Sequence, residues 1–277
     1  MRQVALPTGE TVPALGQGTW QLAEDARRRA AEIEALRLGI DLGLTLIDTA
    51  EMYGEGAAEE LVAEAIAGRR EEVFLVSKVY PHNATRQGVR QACDRSLKRL
   101  KTDRLDLYLL HWRGTVPLEE TVAGFQELLQ AGKIRHWGVS NFDARDMRQL
   151  VRLDGGANCA TDQVLYNVTR RGPEFDLMPW MAEHRLPLMA YSPVEQGRLP
   201  RSDSLQAIAR KHRASPFQIA LAWLLRRPDV IAIPKAGRPE HVRENRDSLS
   251  IALDADDLRK IDAEFPPPTR KRPLEMI

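Results

Sequence analysis

VFLVSKVYPHNATRQGVRQACDRSLKRLKTDRLDLYLL, residues 73–110, reads as strand, helix, strand. Residues 73–77 and 105–110 are short apolar runs rich in Val, Leu and aromatic residues. Between them, over 85–100, Val89, Cys93, Ser96-Leu97 and Leu100 recur at helical spacing, with Arg and Lys on the other faces. The same alternation extends in both directions. Further β-rich runs fall at 14–19, 45–49, 137–140, 160–164, 188–191 and 230–233, and further helical stretches at 32–42, 57–67, 119–130, 144–153, 175–184, 204–211, 216–225 and 255–262. Eight β runs separated by helices predict a parallel sheet. Within 277 residues, eight repeats favour an α/β fold of the closed (β/α)8 barrel type. An open doubly wound sheet would need a glycine-rich phosphate turn after its first strand. The nearest candidate, Gly54-Glu55-Gly56-Ala57-Ala58-Glu59, lacks the third glycine and follows the second strand.

Outside the repeat, residues 4–6 and 12–15 flank Thr8-Gly9-Glu10 and read as an N-terminal β-hairpin, about 2–15. Pro266-Pro267-Pro268 closes the last helix before a tail at about 266–277. No compositional break divides the chain, so one barrel domain over 1–277 is expected.

Hydrophobic residues make up 43% and charged residues 29%, an ordinary globular balance. Lys+Arg 40 against Asp+Glu 39 leaves a formal charge of +1, without the clustered basic excess of a nucleic-acid binder. Cys93 and Cys159 are too few for a disulfide framework and match no metal spacing, so no metal is expected. The N-terminus carries no export signal, and no apolar run approaches the roughly 20 residues that span a bilayer. A cytoplasmic monomer that engages neither membrane nor nucleic acid is the expectation.

The informative residues are polar ones at the ends of strands. Asp48 follows Leu46-Ile47, Lys78 follows Ser77, and His111 follows Leu110. Ser140-Asn141 follows Val139, Gln163 closes a run, and Lys235 follows Ile233-Pro234. In a parallel barrel these carboxyl ends share one rim, where barrel active sites sit. Each residue has an ordinary account taken singly: Asp48 as a turn cap, Tyr53 as a packed loop aromatic, Lys78 reaching solvent, His111 as a structural histidine. Together, an acid, a phenol, an ammonium and an imidazole on one rim form a proton-transfer set. A carbonyl receiving hydride develops negative charge on oxygen and needs a proton donor there. Tyrosine, with an ordinary pKa of about 10, is protonated at neutral pH. A neighbouring ammonium, Lys78, stabilises the phenolate left behind and lowers that pKa. Asp48 would keep the ammonium charged, and His111 would orient the carbonyl oxygen.

At this point the chain resembles the aldo-keto reductase family, from the hairpin to about Asp262. The resemblance rests on Gly16-Gln17-Gly18-Thr19-Trp20, Ile47-Asp48-Thr49-Ala50-Glu51-Met52-Tyr53-Gly54, Val76-Ser77-Lys78-Val79 and residues 107–112. It continues through Lys133-Ile134-Arg135, Gly138-Val139-Ser140-Asn141-Phe142, Tyr191-Ser192-Pro193 and Ile233-Pro234-Lys235. Short loops make it most similar to bacterial members that reduce methylglyoxal and similar small carbonyls. The resemblance implies an NAD(P)H-dependent reductase whose catalytic tetrad is Asp48, Tyr53, Lys78 and His111. It implies cofactor contacts from Gly18, Thr19, Trp20 and Asp48, and a nicotinamide carboxamide held by Ser140, Asn141 and Gln163. Tyr191 would stack on the nicotinamide ring, and Ser192, Val194, Gln196 and Gly197 would follow the pyrophosphate. Lys235, Arg238 and His241 would lie at the adenosine phosphate, and Glu244 and Asn245 near the adenine. Trp20, Tyr53, Tyr80, His111 and Trp112 would wall the substrate pocket.

Two positions depart from the family pattern. His241 stands where many NADPH-using members carry an arginine, and Ala236 replaces a small hydroxyl residue. Lys235 and Arg238 remain, so NADPH is the expected cofactor, with NADH as the alternative. The loops at 78–85 and 111–118 are short, as is the tail, which suits a shallow site for small carbonyls. A cofactor-sensing regulatory barrel with little turnover is the rival reading, because a fold does not dictate a function. A third option is a barrel enzyme with unrelated phosphate chemistry.

Overall fold

The computed structural model describes residues 2–277. Strands β1 (Gln3–Ala5) and β2 (Thr11–Pro13) pair antiparallel with Val4 opposite Val12, forming the expected hairpin. Eight parallel strands follow: β3 (Gln17–Gly18), β4 (Leu46–Asp48), β5 (Phe74–Val79), β6 (Leu105–Leu110), β7 (Ile134–Ser140), β8 (Cys159–Leu165), β9 (Leu188–Tyr191) and β10 (Val230–Ala232). Each is hydrogen-bonded to its sequence neighbour, and the helices lie between them in the chain. Every residue of β5, β6 and β8 is buried, as a sheet covered on both faces requires.

Backbone hydrogen bonds between the first and last strands close the barrel. Ala232 N donates to Ala14 O at 2.8 Å, Gly16 N to Ala232 O at 2.8 Å, and Gly18 N to Pro234 O at 3.0 Å. Only Gln17 and Gly18 of the expected 14–19 run form a regular strand; Leu15 joins β10 through an isolated bridge. The approach of the two chains at this seam is very close. A Cβ on Gly18 would stand 2.8 Å from the carbonyl oxygen of Ile233, which is backbone and cannot swing away.

The helices follow their sequence signals. α3 (Arg86–Leu100) starts where the Thr85 hydroxyl accepts from Gly88 N and buries Val89, Cys93, Ser96, Leu97 and Leu100, the stripe read from the sequence. α8 (Pro216–Leu225) begins with a Ser215–Gln218 capping box, and residues 219–225 are all buried. The remaining helices are α1 (Arg29–Asp41), α2 (Ala57–Ala65), α4 (Leu118–Gln130), α5 (Ala144–Leu150), α6 (Leu177–Glu183), α7 (Asp203–His212), α9 (Pro239–Asp247) and α10 (Ala255–Glu264). α9 is absent from the sequence reading. Its sequence is almost wholly polar and Val242 is its one buried residue, so it presents no apolar stripe to detect. No helix among the described residues is long and apolar enough to cross a membrane.

The seam is testable. Gly18→Ala is expected to destabilise the protein by about 1–3 kcal/mol through overpacking. Urea unfolding monitored by tryptophan fluorescence measures it, and a midpoint equal to wild type would remove the closure argument.

Candidate active site

At the carboxyl rim of the barrel, Asp48 ends β4, Lys78 lies one residue before the end of β5, and His111 directly follows β6. Tyr53 comes from the loop after β4, in a turn where Gly54, Glu55 and Gly56 all have positive φ (56°, 54° and 96°). The four side chains come together. Lys78 is wholly buried, and its Nζ donates to Asp48 Oδ2 at 2.7 Å, to Thr49 O at 2.9 Å and to the Tyr53 hydroxyl at 3.1 Å. An ammonium has three donors, and all three are used, which is what allows this charge to be buried. The second carboxylate oxygen of Asp48 accepts from Gln163 Nε2 at 2.8 Å. The Tyr53 ring stands edge-on to His111, with centroids 5.8 Å apart, and to Trp20, with centroids 5.4 Å apart.

Burial pushes the Tyr53 phenol above its ordinary pKa; the Lys78 charge pulls it down and Asp48 pushes it up. The ammonium therefore acts in the expected direction, but burial outweighs it. Burial works against charge on Lys78, and the Asp48 carboxylate and Tyr53 overcome it, so the amine is held above its ordinary value. Burial, followed by the Lys78 charge, holds the His111 imidazole well below its ordinary value. At neutral pH the set is a protonated phenol, an ammonium and a neutral imidazole.

A second chain of hydrogen bonds ties neighbouring strand ends together. Asn141 Nδ2 donates to His111 O and to Ser140 Oγ, both at 3.1 Å, and Ser140 Oγ donates to Gln163 O at 2.7 Å. The Tyr191 hydroxyl donates to Asn141 Oδ1 at 2.9 Å. From Tyr53 and His111 a groove of about 930 Å³ runs past these residues. Gly18, Trp20, Asp48, Trp112, Ser192, Val194, Gln196, Gly197, Lys235, Arg238, His241, Glu244 and Asn245 also line it.

Three residues named from the sequence lie off the groove. Thr19 is buried beneath it, and its hydroxyl donates to Asp48 O at 3.0 Å, bracing Asp48. Lys78 reaches the groove only through Tyr53 and Asp48. Tyr80 packs edge-on behind Trp112, with centroids 5.8 Å apart. Other lining residues escaped the sequence reading: Met52, Arg27, Arg28, Glu32, Phe217, Met276 and Ile277. The run Arg27-Arg28-Arg29 just after the first strand was a usable signal; Phe217 offered none beyond its place after Pro216. Met276 and Ile277 bring the tail to the groove, so the mouth has more wall than the short tail suggested. Lys271 of the tail pairs with Asp176 at 3.2 Å and Asp143 at 3.5 Å.

The donor set and shape fit a phosphorylated dinucleotide. Amide and hydroxyl groups (buried Ser140 and Gln163, half-buried Asn141) line the groove with the phenol, and cations (Lys235, Arg238) line it too. Trp20 Nε1 and His111 Nδ1 are buried without a protein partner at the phenol end. A parallel barrel with a lysine-bound phenol at its rim and a long groove beside it defines a class, the cofactor-dependent barrel oxidoreductases.

The comparisons identify the family. The model of the aldo/keto reductase family matches residues 14–264. Methylglyoxal reductase YeaE of Escherichia coli is 51% identical over 272 residues, covering 96% of each chain. Glyoxal reductase of Bacillus subtilis is 33% identical, covering 94% of this chain and 91% of its own. An aldo/keto reductase from Klebsiella pneumoniae, crystallised with NADP and acetate, superposes with a TM-score of 0.97 at 50% identity, covering 100% of this chain and 99% of its own. The chain belongs to the aldo/keto reductase family.

The depressed imidazole gives a direct check. The His111 ring resonances are expected to stay unshifted between about pH 8 and pH 6, where an ordinary histidine titrates. An NMR titration measures this, and a midpoint near 6.5 would contradict the buried neutral ring.

Proposed function

We propose that the protein reduces small aldehydes and ketones, methylglyoxal among them, to alcohols at the expense of NADPH, with Tyr53 as the proton donor. The observation that carries this reading is the 3.1 Å hydrogen bond from a fully buried Lys78 ammonium to the Tyr53 hydroxyl at the head of the groove. The similarity to a methylglyoxal reductase, a glyoxal reductase and an NADP-bound structure supports the substrate and cofactor.

The carbonyl oxygen lies within reach of Tyr53 and His111. When bound, a reduced nicotinamide would supply the hydride for the carbonyl carbon. The π-electron pair moves onto oxygen, which takes the proton of Tyr53, and the phenolate is reprotonated from solvent. Lys78, itself without solvent exposure, stabilises that phenolate at short range. Asp48 holds Lys78, and Gln163 and Thr19 hold Asp48. His111 is neutral, so it orients the oxygen by hydrogen bonding and does not compete as an acid. Ser140, Asn141, Gln163 and Tyr191 would hold the nicotinamide end, Ser192, Val194, Gln196 and Gly197 the pyrophosphate, and Glu244 and Asn245 the adenine. Lys235, Arg238 and His241 would hold the adenosine phosphate. On this reading the whole chain acts as one barrel domain and as a cytoplasmic monomer.

Tyr53→Phe is expected to lower turnover by about 10²- to 10⁴-fold while leaving NADPH binding intact. Steady-state rates with methylglyoxal and fluorescence titration of NADPH check both halves, and a wild-type rate would end the role of Tyr53. A chain that binds NADPH but consumes none with a panel of carbonyls would instead be the regulatory barrel. NADPH is expected to bind more tightly than NADH. Losing one charged contact to the phosphate, as in Arg238→Ala, should narrow that gap by about tenfold or more. Equal dissociation constants in the wild-type protein would overturn the preference.

A further inference from the structure

The loop at 192–197 lines the groove where the pyrophosphate would run, yet its backbone is under strain. Ser192, Glu195 and Gln196, none of them glycine, have φ of 46°, 50° and 54°. Such a backbone persists only where its surroundings over-determine it. The determinants lie behind the loop, on the segment after β8. Asn167 is fully buried, and its Nδ2 donates to Ser192 O at 2.9 Å and to Glu195 Oε1 at 2.8 Å. Its Oδ1 accepts from Arg170 N at 3.0 Å, which places the Arg170 side chain alongside.

Arg170 does more than support this loop. Its Nε donates to Glu195 Oε1 at 3.0 Å and its Nη2 reaches Glu195 Oε2 at 3.5 Å. Its Nη1 donates to Glu275 Oε1 at 2.8 Å. Glu275 immediately precedes Met276 and Ile277, the tail residues on the groove. One planar guanidinium therefore joins the loop at 192–197 to the tail segment that lines the groove beside Tyr191. The planar fork holds its donors in fixed directions, with Nε on Glu195 and Nη1 on Glu275.

We propose that Arg170 is a positioning residue, a clasp that couples cofactor retention to the shape of the substrate mouth through Glu195 and Glu275. This rests on the cofactor reading above. Without Arg170 the loop keeps Asn167 but loses its charged support, and the tail loses its anchor near the groove. The two arms of the clasp act on different constants. Glu195 bears on the loop and so on the release of cofactor. Glu275 bears on the tail and so on the carbonyl.

The test compares wild type, Arg170→Ala, Glu195→Gln and Glu275→Gln for NADPH dissociation by stopped-flow fluorescence chase, and for kcat and KM with methylglyoxal at saturating NADPH. Active-site concentration is set by NADPH stoichiometry, so loss of folded protein does not enter the constants. Arg170→Ala is expected to release NADPH about three- to tenfold faster and to raise the methylglyoxal KM by a similar factor. Glu195→Gln should reproduce the faster release. Glu275→Gln, on an exposed part of the tail, should raise the KM and leave the release rate unchanged. If Arg170→Ala yields no folded protein, the two glutamate variants still decide the matter by that split. Wild-type release and KM in Arg170→Ala, or identical effects of the two glutamate variants on both constants, would overturn the clasp while the reductase reading stands. Wild-type protein that neither binds NADPH nor reduces methylglyoxal would remove both.

Discussion

A lysine ammonium with no solvent exposure sits at the centre of this structure. Removing such a charge from water costs several kcal/mol unless a counter-charge and a full set of acceptors replace the lost solvent. Here the replacement comes from one short stretch of chain, 48–53, which supplies the carboxylate of Asp48, the carbonyl of Thr49 and the hydroxyl of Tyr53. The buried charge thus dictates the course of the loop after β4. It brings a phenol to the barrel rim that would otherwise be an unremarkable loop aromatic.

The barrel makes that arrangement rigid. Asp48 is braced from β8 by Gln163 and, at its backbone carbonyl, by Thr19 just after β3. Residues far apart in the chain therefore converge because the sheet closes on itself, with 14–18 hydrogen-bonded to 232–234. The closure needs glycine at position 18, where the neighbouring carbonyl leaves no room for a side chain. A second set of bonds, from His111 O through Asn141 to Tyr191, does the same for the next strand ends. Site and fold are in this sense one hydrogen-bonded object.

Much of this was legible before any coordinates. The strand–helix alternation announced the barrel because buried parallel strands are short and apolar while their helices are striped, as 105–110 and 85–100 are. Asp48, Lys78 and His111 stood out because a charged or imidazole side chain ending an apolar strand is an anomaly with a positional meaning. α9 was not legible, since a polar helix leaves no periodic signal. Nor were the contacts of Thr19 with Asp48 and of Tyr80 with Trp112, which depend on how the side chains pack at the rim. The tail's return to the groove depended on pairs such as Arg170–Glu275, which join residues 105 positions apart.

By itself the sequence determined the architecture, the family and the chemical types at the rim, because these follow from periodicity and from the order of motifs along the chain. Only the tertiary structure decided which of those groups touch and in what state. Burial holds the His111 imidazole neutral, and burial is a property of the packed molecule. The same holds for the clasp. Glutamate and arginine are ordinary surface residues in a sequence, and they acquire a role only when three of them meet between a strained loop and a chain end.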